Sequence, residues 1–279
     1  MFNPYNFKID KDQANFRSMG TKAGNFMIDD KTITNFYQFV ASDESAQFCF
    51  LEVKSEYFKL FWDFDVKEQF IDLFKDINFE EFWDYIIETI LKVLKKYIKE
   101  DTKEIFNYIY SDRNDLKNRI HVYFPNIKID CDSALTLALI FKNELKNDKK
   151  YKINNYDEII NEMVDLSIFT YNGLKLLFQK KKDQTGFYKI NLKKSTYPIP
   201  NDPIKQLAIS SIRTNETKIN FTTIKKKNSE NSLLDDKKNE LCNEIENAKK
   251  NKTNLLQNIK ACGEEMDVSH LKLTIEIEL

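Results

Sequence analysis

Hydrophobic and polar residues along the first half of the chain follow two periods. A helical period near residues 32–41 precedes two strand-like runs, residues 46–53 ("AQFCFLEV") and 57–64 ("YFKLFWDF"). From Asn78, a residue type that favours the N-cap, residues 79–100 have a helical period, with acidic residues in the first turn and lysines in the last. These features predict a helix, two strands and a second helix.

The same analysis predicts a mixed order of strands and helices as far as residue 194. Residues 105–111 and 119–127 are rich in β-branched and aromatic residues, and the polar stretch between them predicts a hairpin. A helix follows from Asp132. A short helix is predicted at 157–164 and two more strands at 173–182 and 186–194, joined by a turn near 183–186. The sequence therefore predicts an α/β (α+β) fold.

The C-terminal segment has a different pattern. Apolar residues recur at alternating spacings of four and three, the a/d pattern of a coiled-coil seam, although two seam positions are lysine. The seam consists of Leu234, Lys238, Leu241, Ile245, Ala248, Lys252, Leu255, Ile259, Cys262 and Met266. We predict a main domain at residues 1–225 and a helical extension or linker at 228–270.

Composition and charge exclude several classes of protein. Hydrophobic residues make up 42% of the chain, which favours a folded core, and the net charge is −1. The four cysteines lie far apart, which argues against a zinc ribbon or a disulfide framework. We expect no signal peptide, membrane span or P-loop, and hence an intracellular protein. Lysines are concentrated between Lys175 and Lys194, where seven stand against one acid and would attract phosphate.

The candidate chemistry begins with two aspartates at the end of a strand. Asp63 and Asp65 are two residues apart, so a strand places both carboxylates on one face. Carboxylates on one face repel each other unless a cation lies between them, and Mg²⁺ prefers such oxygen ligands. A strand that ends in two solvated acids has the same pattern. The order of the following motifs favours the metal site: His121 on a predicted strand, then Asp165, then the lysine-bearing segment.

These motifs resemble those of the archaeo-eukaryotic primases, in particular the primase domains of large DNA viruses such as poxviruses and African swine fever virus. The first motif of that family, an apolar strand ending in D-x-D, is matched by "LFWDFD", and the second, a small residue, any residue and histidine, by "RIH" with Arg119 in the small position. The third is an acid followed by L-R-x-x-G-x-x-K. Asp165 precedes "LKLLFQKK", in which Lys175 stands for arginine and Phe178 for glycine. The resemblance covers about residues 18–195.

The resemblance implies a primase core, with an RRM-like mixed sheet flanked by helices, that makes primers on a single-stranded DNA template by nucleotidyl transfer. It implies two Mg²⁺ or Mn²⁺ ions held by the aspartates and nucleoside triphosphates as substrates. The residues concerned are Asp63, Asp65 and Asp165 for metal binding and catalysis, and Arg119, His121, Lys175 and Lys181 for the nucleotide. It also implies a primer strand, a helicase domain or partner, no membrane association, and action at a viral replication site in the cytoplasm or nucleus.

Two alternatives remain open at this level. An acid triad also suits a metal-dependent nuclease or another nucleotidyltransferase, because cleavage and synthesis of phosphodiesters use similar carboxylate clusters. The lysines and the C-terminal helix also suit a non-catalytic nucleic-acid-binding module.

Overall fold

A computed structural model describes residues 2–98, 102–113, 115–169, 173–180 and 186–213, apart from the side chain of Asp43. The elements of the chain, in order, are β1 Phe16–Ser18, β2 Gly24–Phe26, α1 Ile33–Val40, β3 Phe50–Glu52, β4 Tyr57–Asp65, α2 Phe79–Tyr97, β5 Ile109–Arg113, β6 Arg119–Asp130, α3 Cys131–Asp148, α4 Tyr156–Met163, β7 Leu174–Lys175, β8 Tyr188–Ile190 and α5 Pro203–Ser210.

The strands form two sheets of four. One has the order β2-β1-β3-β7 and the other the order β4-β6-β5-β8. Every strand pair that the structure describes is antiparallel. The register of β4 against β6 shifts between Lys59 and Leu60, at a bulge, and continues to Asp65 opposite Arg119. The second sheet therefore holds the D-x-D strand and the histidine strand side by side.

Aromatic side chains fill the layer between the second sheet and the helices. Trp62 and Phe64 point from β4 toward α2 and α3, and both rings contact Phe141, with centroids 5.0 and 5.8 Å away. Phe64 also meets Trp83 of α2 at 6.2 Å. Because neighbouring strand residues face opposite sides, burial of Trp62 and Phe64 directs Asp63 and Asp65 to the other face.

Local sequence explains where the principal helices begin. Asn78 accepts a hydrogen bond from the Glu80 amide at the N-terminus of α2, and Asp130 accepts one from the Ser133 amide at the N-terminus of α3. Asp202 caps α5 in the same way, through the Ile204 amide. No helix among the described residues has the length and apolar character needed to cross a membrane.

The segment after α5 closes the free edge of β4. The Ile212 carbonyl accepts a hydrogen bond from the Lys59 amide at 2.6 Å, and Arg213 bridges to Phe58. Glu52 of β3 fixes this segment, because its carboxylate accepts bonds from the Ser211 hydroxyl at 2.5 Å and the Ile212 amide at 2.8 Å. Glu52 is 1% exposed, and burial raises the pKa of its carboxyl.

The α/β class with flanking helices and the hairpin of β5 and β6 are confirmed. The prediction of a strand at 173–182 is wrong for most of the described residues in that range, because β7 covers only Leu174–Lys175. The chain turns at Phe178, which has a φ of 65°. β7 and β8 also lie in different sheets, so they do not form a hairpin. The domain boundary at 225–228 and the C-terminal helix lie outside the described residues and stay predictions.

Candidate active site

Asp63 and Asp65 occupy the end of β4, on the face that α2 and α3 leave open. Their side chains are 27% and 20% exposed, between the buried Trp62, Phe64 and Val66. Both carboxylates therefore reach solvent from a rigid strand, as the two-residue spacing predicts.

The two predicted nucleotide ligands on β6 lie directly opposite these aspartates. His121 pairs with Asp63, and Arg119 with Asp65, on successive rungs of the same face. His121 Nε2 lies 3.4 Å from Asp63 Oδ1, and His121 Nδ1 lies 3.2 Å from the Tyr123 hydroxyl. The second motif thus meets the first through strand pairing.

Asp65 lies between two cations. Arg119 Nε is 2.8 Å from Asp65 Oδ1, and Lys67 Nζ is 3.4 Å from Asp65 Oδ2. The contact with Arg119 is close but does not have hydrogen-bond geometry, so Asp65 Oδ1 and Arg119 Nε are both buried without a hydrogen bond. Arg119 therefore balances the Asp65 charge while its Nε–H and the carboxylate oxygen both keep hydrogen-bonding capacity.

Asp165 joins the pair through a short backbone contact with β4. Val164 bridges to Phe64 in antiparallel sense, which brings the next residue, Asp165, alongside Asp63. Its carboxylate accepts bonds from the Ser167 amide at 2.8 Å and the Ser167 hydroxyl at 2.5 Å. Burial raises the pKa of Asp165, and the negative charge of Asp63 raises it further. The structure thus brings together the three predicted aspartates.

A lysine that was not among the predicted site residues interacts with Asp165. Lys54, in the connection from β3 to β4, donates to the Ile168 carbonyl. Burial lowers the pKa of Lys54 to about 8, and the charge of Asp165 opposes this shift. Lys54 therefore contributes positive charge near the half-buried Asp165 carboxylate.

A tyrosine that sequence reasoning did not single out links the predicted nucleotide ligands. The ring of Tyr188, on β8, stacks on His121 with centroids 3.6 Å apart and planes at 21°. Lys175 Nζ lies 4.8 Å from the centroid of the same ring. Tyr188 is 4% exposed, and burial raises the pKa of its phenol, as do the charges of Asp63 and Asp65. His121 and Lys175, from different sheets, thus share one aromatic platform.

Lys181, the remaining predicted ligand, lies outside the described residues. Its assignment stays a prediction.

Comparison with protein-family models agrees with this geometry. Residues 15–192 match the family described as "C962R protein N-terminal AEP domain", where AEP denotes archaeo-eukaryotic primase. The chain belongs to this family. A search of curated proteins finds no match. The family is an AEP domain of the viral type, as the motifs predict, and AEP domains are characteristic of primases and related nucleotidyltransferases.

The turn at Phe178 has a backbone conformation that is uncommon for residues other than glycine. Phe178, which stands where the motif of the resemblance has glycine, adopts a φ of 65°, in the left-handed region that glycine enters without steric cost. Its amide donates to the Tyr188 carbonyl at 2.9 Å, which ties the turn to β8. The backbone at Phe178 thus has the conformation expected at the glycine position.

The three aspartates offer carboxylate oxygens as possible metal ligands. Within the described parts of the chain, no three Asp, Glu, His or Cys side chains are already grouped at ligand spacing. The carboxylates nevertheless fit divalent cations. Asp165 is half-buried beside Asp63 with a raised pKa, and Asp65 Oδ1 has no hydrogen-bond donor. Hard cations bind carboxylate oxygens of this kind and relieve the repulsion between them.

Proposed function

We propose that this chain is a DNA primase/polymerase that joins nucleotides into primers on a single-stranded DNA template, with Mg²⁺ or Mn²⁺. One observation supports the proposal most strongly: the predicted carboxylates and the predicted basic side chains are neighbours around the end of strand β4, although they come from different segments of the chain. Asp63 faces His121, Asp65 faces Arg119, and Lys175 approaches His121 across Tyr188.

The reaction is the attack of a primer 3′-hydroxyl oxygen on the α-phosphorus of a nucleoside triphosphate. The new bond joins that oxygen to the α-phosphorus, the bond from the α-phosphorus to the β-phosphate oxygen breaks, and pyrophosphate leaves. Two divalent cations, when bound, neutralise phosphate charge and lower the pKa of the hydroxyl. Asp63, Asp65 and Asp165 would hold them.

The basic side chains bind and orient the triphosphate. His121 is held between Tyr123 and Tyr188, so its ring has little freedom, and the ammonium of Lys175 lies 4.8 Å from the centroid of the same Tyr188 ring. Arg119 contributes donors beside Asp65. Fixed positive charge aimed at phosphate oxygens stabilises the charge that develops in the transition state. Lys181 adds to this set by its place in the third motif.

A metal-dependent nuclease is the second candidate, because the aspartates alone would serve hydrolysis of a phosphodiester. The Tyr188 platform favours synthesis, since it orders two phosphate ligands that a nuclease acting on a single diester does not need. We also propose that the domain works with a helicase domain or partner at a replication site.

Primer synthesis on an unprimed single-stranded template, with Mn²⁺ and each nucleotide set in turn, tests the proposal. A primase yields labelled products that lengthen with time. A nuclease yields none and shortens a labelled template, and a binding module does neither and shows no metal-dependent affinity for nucleotide.

A further inference from the structure

A cleft of about 560 Å³ lies at the outer edge of the sheet that carries the aspartates. It is bounded by the N-terminal turn of α2, by strands β5 and β8, by residues 115–117, and by the turn that follows β8. Tyr110 and Trp83 form a buried floor, whereas Leu192 at its rim is 56% exposed.

This cleft lies on the opposite face of the sheet from the aspartates. Tyr188 points toward His121, so Lys189, the next residue of β8, points to the other face, where it lines the cleft. Asp112, which pairs with Lys189, lies opposite Ile120 on β6, on the face that packs against the helices. Most of the cleft is therefore separate from the candidate active site, although both share β8 and the cleft residue Arg113 pairs with Tyr188.

Three of the cations around the cleft are available to a ligand, against one exposed carboxylate, Glu80, because Asp112 and Asp115 are bonded to Asn191 and Arg113. Lys117, Lys189 and Lys193 are exposed, and none makes an ion pair with another part of the chain that the structure describes. The other two cations are already paired. Arg113 binds Asp115 through two bonds of 2.9 and 2.7 Å, and Lys194 binds Asp84 at 2.7 Å.

Hydrogen bonds hold the segments that carry these lysines. Asn191 donates from Nδ2 to Asp112 at 2.9 Å, and its Oδ1 accepts from the amides of Lys193 and Lys194. The Trp83 indole donates to the Lys117 carbonyl at 2.7 Å. The three ammonium groups therefore extend from an ordered backbone, which lowers the entropic cost of binding an anion.

We propose that this cleft binds the sugar-phosphate backbone of a single nucleic-acid strand that passes around the β8 edge of the catalytic sheet. The proposal rests on the proposed function, because it adds a second contact for the template. Three strand spacings separate β4 from β8, roughly 14 Å, so a few nucleotides span the distance. Three lysines favour phosphates, while the exposed Leu192 and the half-buried Phe79 offer apolar surface to bases.

The test measures binding of a fluorescent thirty-residue oligothymidylate by anisotropy at several salt concentrations, without metal or nucleotide. The variant carries Lys117→Gln, Lys189→Gln and Lys193→Gln. The matched control carries Lys11→Gln, Lys75→Gln and Lys205→Gln, which removes the same charge from exposed lysines outside the cleft. Loss of three phosphate contacts lowers the slope of log K against log salt by roughly 2 and weakens binding about tenfold or more at low salt. The control binds with the parent slope.

Two outcomes overturn the proposal: unchanged affinity and slope in the cleft variant, or equal losses in both variants, which would reflect net charge alone. A thermal melt of each variant verifies the fold. Metal-dependent nucleotide binding by the unchanged protein tests the proposed function separately. If the unchanged protein shows no metal-dependent nucleotide binding but only the cleft variant loses affinity for the oligonucleotide, the cleft is a nucleic-acid site in a non-catalytic module. If the unchanged protein binds nucleotide with metal and the cleft variant binds the oligonucleotide like the parent, only the cleft proposal is overturned.

Discussion

Asp63 and His121 face each other across one rung of the β4–β6 ladder, with Asp63 Oδ1 3.4 Å from His121 Nε2. A group that is expected to bind a cation and a group that is expected to bind a phosphate are thus fixed by the same strand pair. The ladder leaves little freedom in their separation, so backbone pairing would set the distance between a bound cation and a bound phosphate under the proposed function.

Replacing both Asp63 and Asp65 with asparagine should abolish synthesis and metal-dependent nucleotide binding while the fold holds. Asparagine keeps the volume of each side chain but removes the charge that attracts cations. Loss of the Asp63 charge relieves repulsion on Asp165, whereas loss of the Asp65 charge leaves Arg119 without its ion pair. We therefore expect Tm within roughly 4 °C of the parent.

The measurement is primer synthesis and nucleotide titration in Mn²⁺, beside a thermal melt. Near-normal synthesis by the folded double variant would end the proposal that these aspartates hold catalytic metals. Asp63 and Asp65 would then be two solvated acids at the end of β4.

Asp165→Asn should stabilise the metal-free protein, and the gain should depend on pH. Burial and Asp63 raise the pKa of Asp165 in the folded state above the unfolded value of about 3.9. The folded protein therefore binds more protons between the two pKa values, so the free energy of unfolding falls as pH rises from about 4 through the folded pKa. Asparagine does not titrate and can still accept the Ser167 bonds at Oδ1.

Thermal melts of both proteins in a chelating buffer from pH 4 to 8 provide the measurement. The advantage of Asp165→Asn should grow with pH and then level off, with Tm higher by roughly 1–4 °C at neutral pH. A constant difference across this range would show that Asp165 is not held with a raised pKa.

The local features of the fold and site were predictable from the sequence because they depend on short-range patterns. The Asn78 cap and the two-residue spacing of Asp63 and Asp65 act over a few residues, and both are confirmed. Tyr188 was not predictable in this way. Its contacts with His121 and Lys175 depend on the pairing of β8 with β5 and on the approach of β7 from the other sheet.

The short β7 illustrates the same limit. Leu176 and Leu177 are both buried, so the apolar run does not alternate as a half-exposed strand would, and the left-handed backbone at Phe178 ends the extended conformation. An apolar run followed by lysines cannot by itself distinguish this turn from a longer strand.

Tyr188→Leu should weaken nucleotide binding by roughly five- to thirtyfold, because a ring stack and a cation–π contact are together worth about 1–2 kcal/mol. The effect should appear in KM for the nucleotide more than in kcat. Tyr188→Phe keeps the ring and should bind within roughly twofold of the parent, since both contacts use the ring face.

Steady-state kinetics of the two variants, with melts, provide the measurement. An equal loss in both variants would assign the effect to the hydroxyl. No loss in a folded Tyr188→Leu protein would show that the platform does not order the nucleotide ligands.

Removing the Lys175 charge should raise the nucleotide dissociation constant about tenfold to hundredfold, since a charge-assisted contact with phosphate is worth roughly 1.5–3 kcal/mol. Lys175 is buried, so methionine, which keeps the apolar stem, is preferable to alanine. Lys180→Met is the matched control, because Lys180 is exposed and its Nζ lies over the ring of Phe187, whereas Lys175 lies over the ring of Tyr188. Lys181→Ala should resemble Lys175→Met by its place in the third motif.

Nucleotide titration in Mn²⁺ measures all three variants. Equal affinity for Lys175→Met and Lys180→Met would contradict the assignment of Lys175 to the triphosphate.

Deleting residues 228–279 should leave the fold and nucleotide binding largely intact, whereas deletion from residue 203 should not. The longer deletion removes α5 and the Ser211 and Ile212 groups that hydrogen-bond the Glu52 carboxylate. Glu52 is buried, and leaving a buried acceptor without its hydrogen-bond donors costs about 1–3 kcal/mol. The longer deletion also exposes the edge of β4 that Ile212 covers, and β4 is the strand that carries Asp63.

Melts and nucleotide titrations of the two truncated proteins provide the measurement, with Glu52→Gln in the full chain as a control that keeps the shape of the side chain. We expect Glu52→Gln to fall between the two truncations, because it keeps α5 but loses the charge that strengthens the bonds from Ser211 and Ile212. Unfolding of the 228–279 deletion would show that the C-terminal segment is part of the core. A stable protein after deletion from residue 203 would show that the Glu52 contacts do not hold the edge of the catalytic sheet.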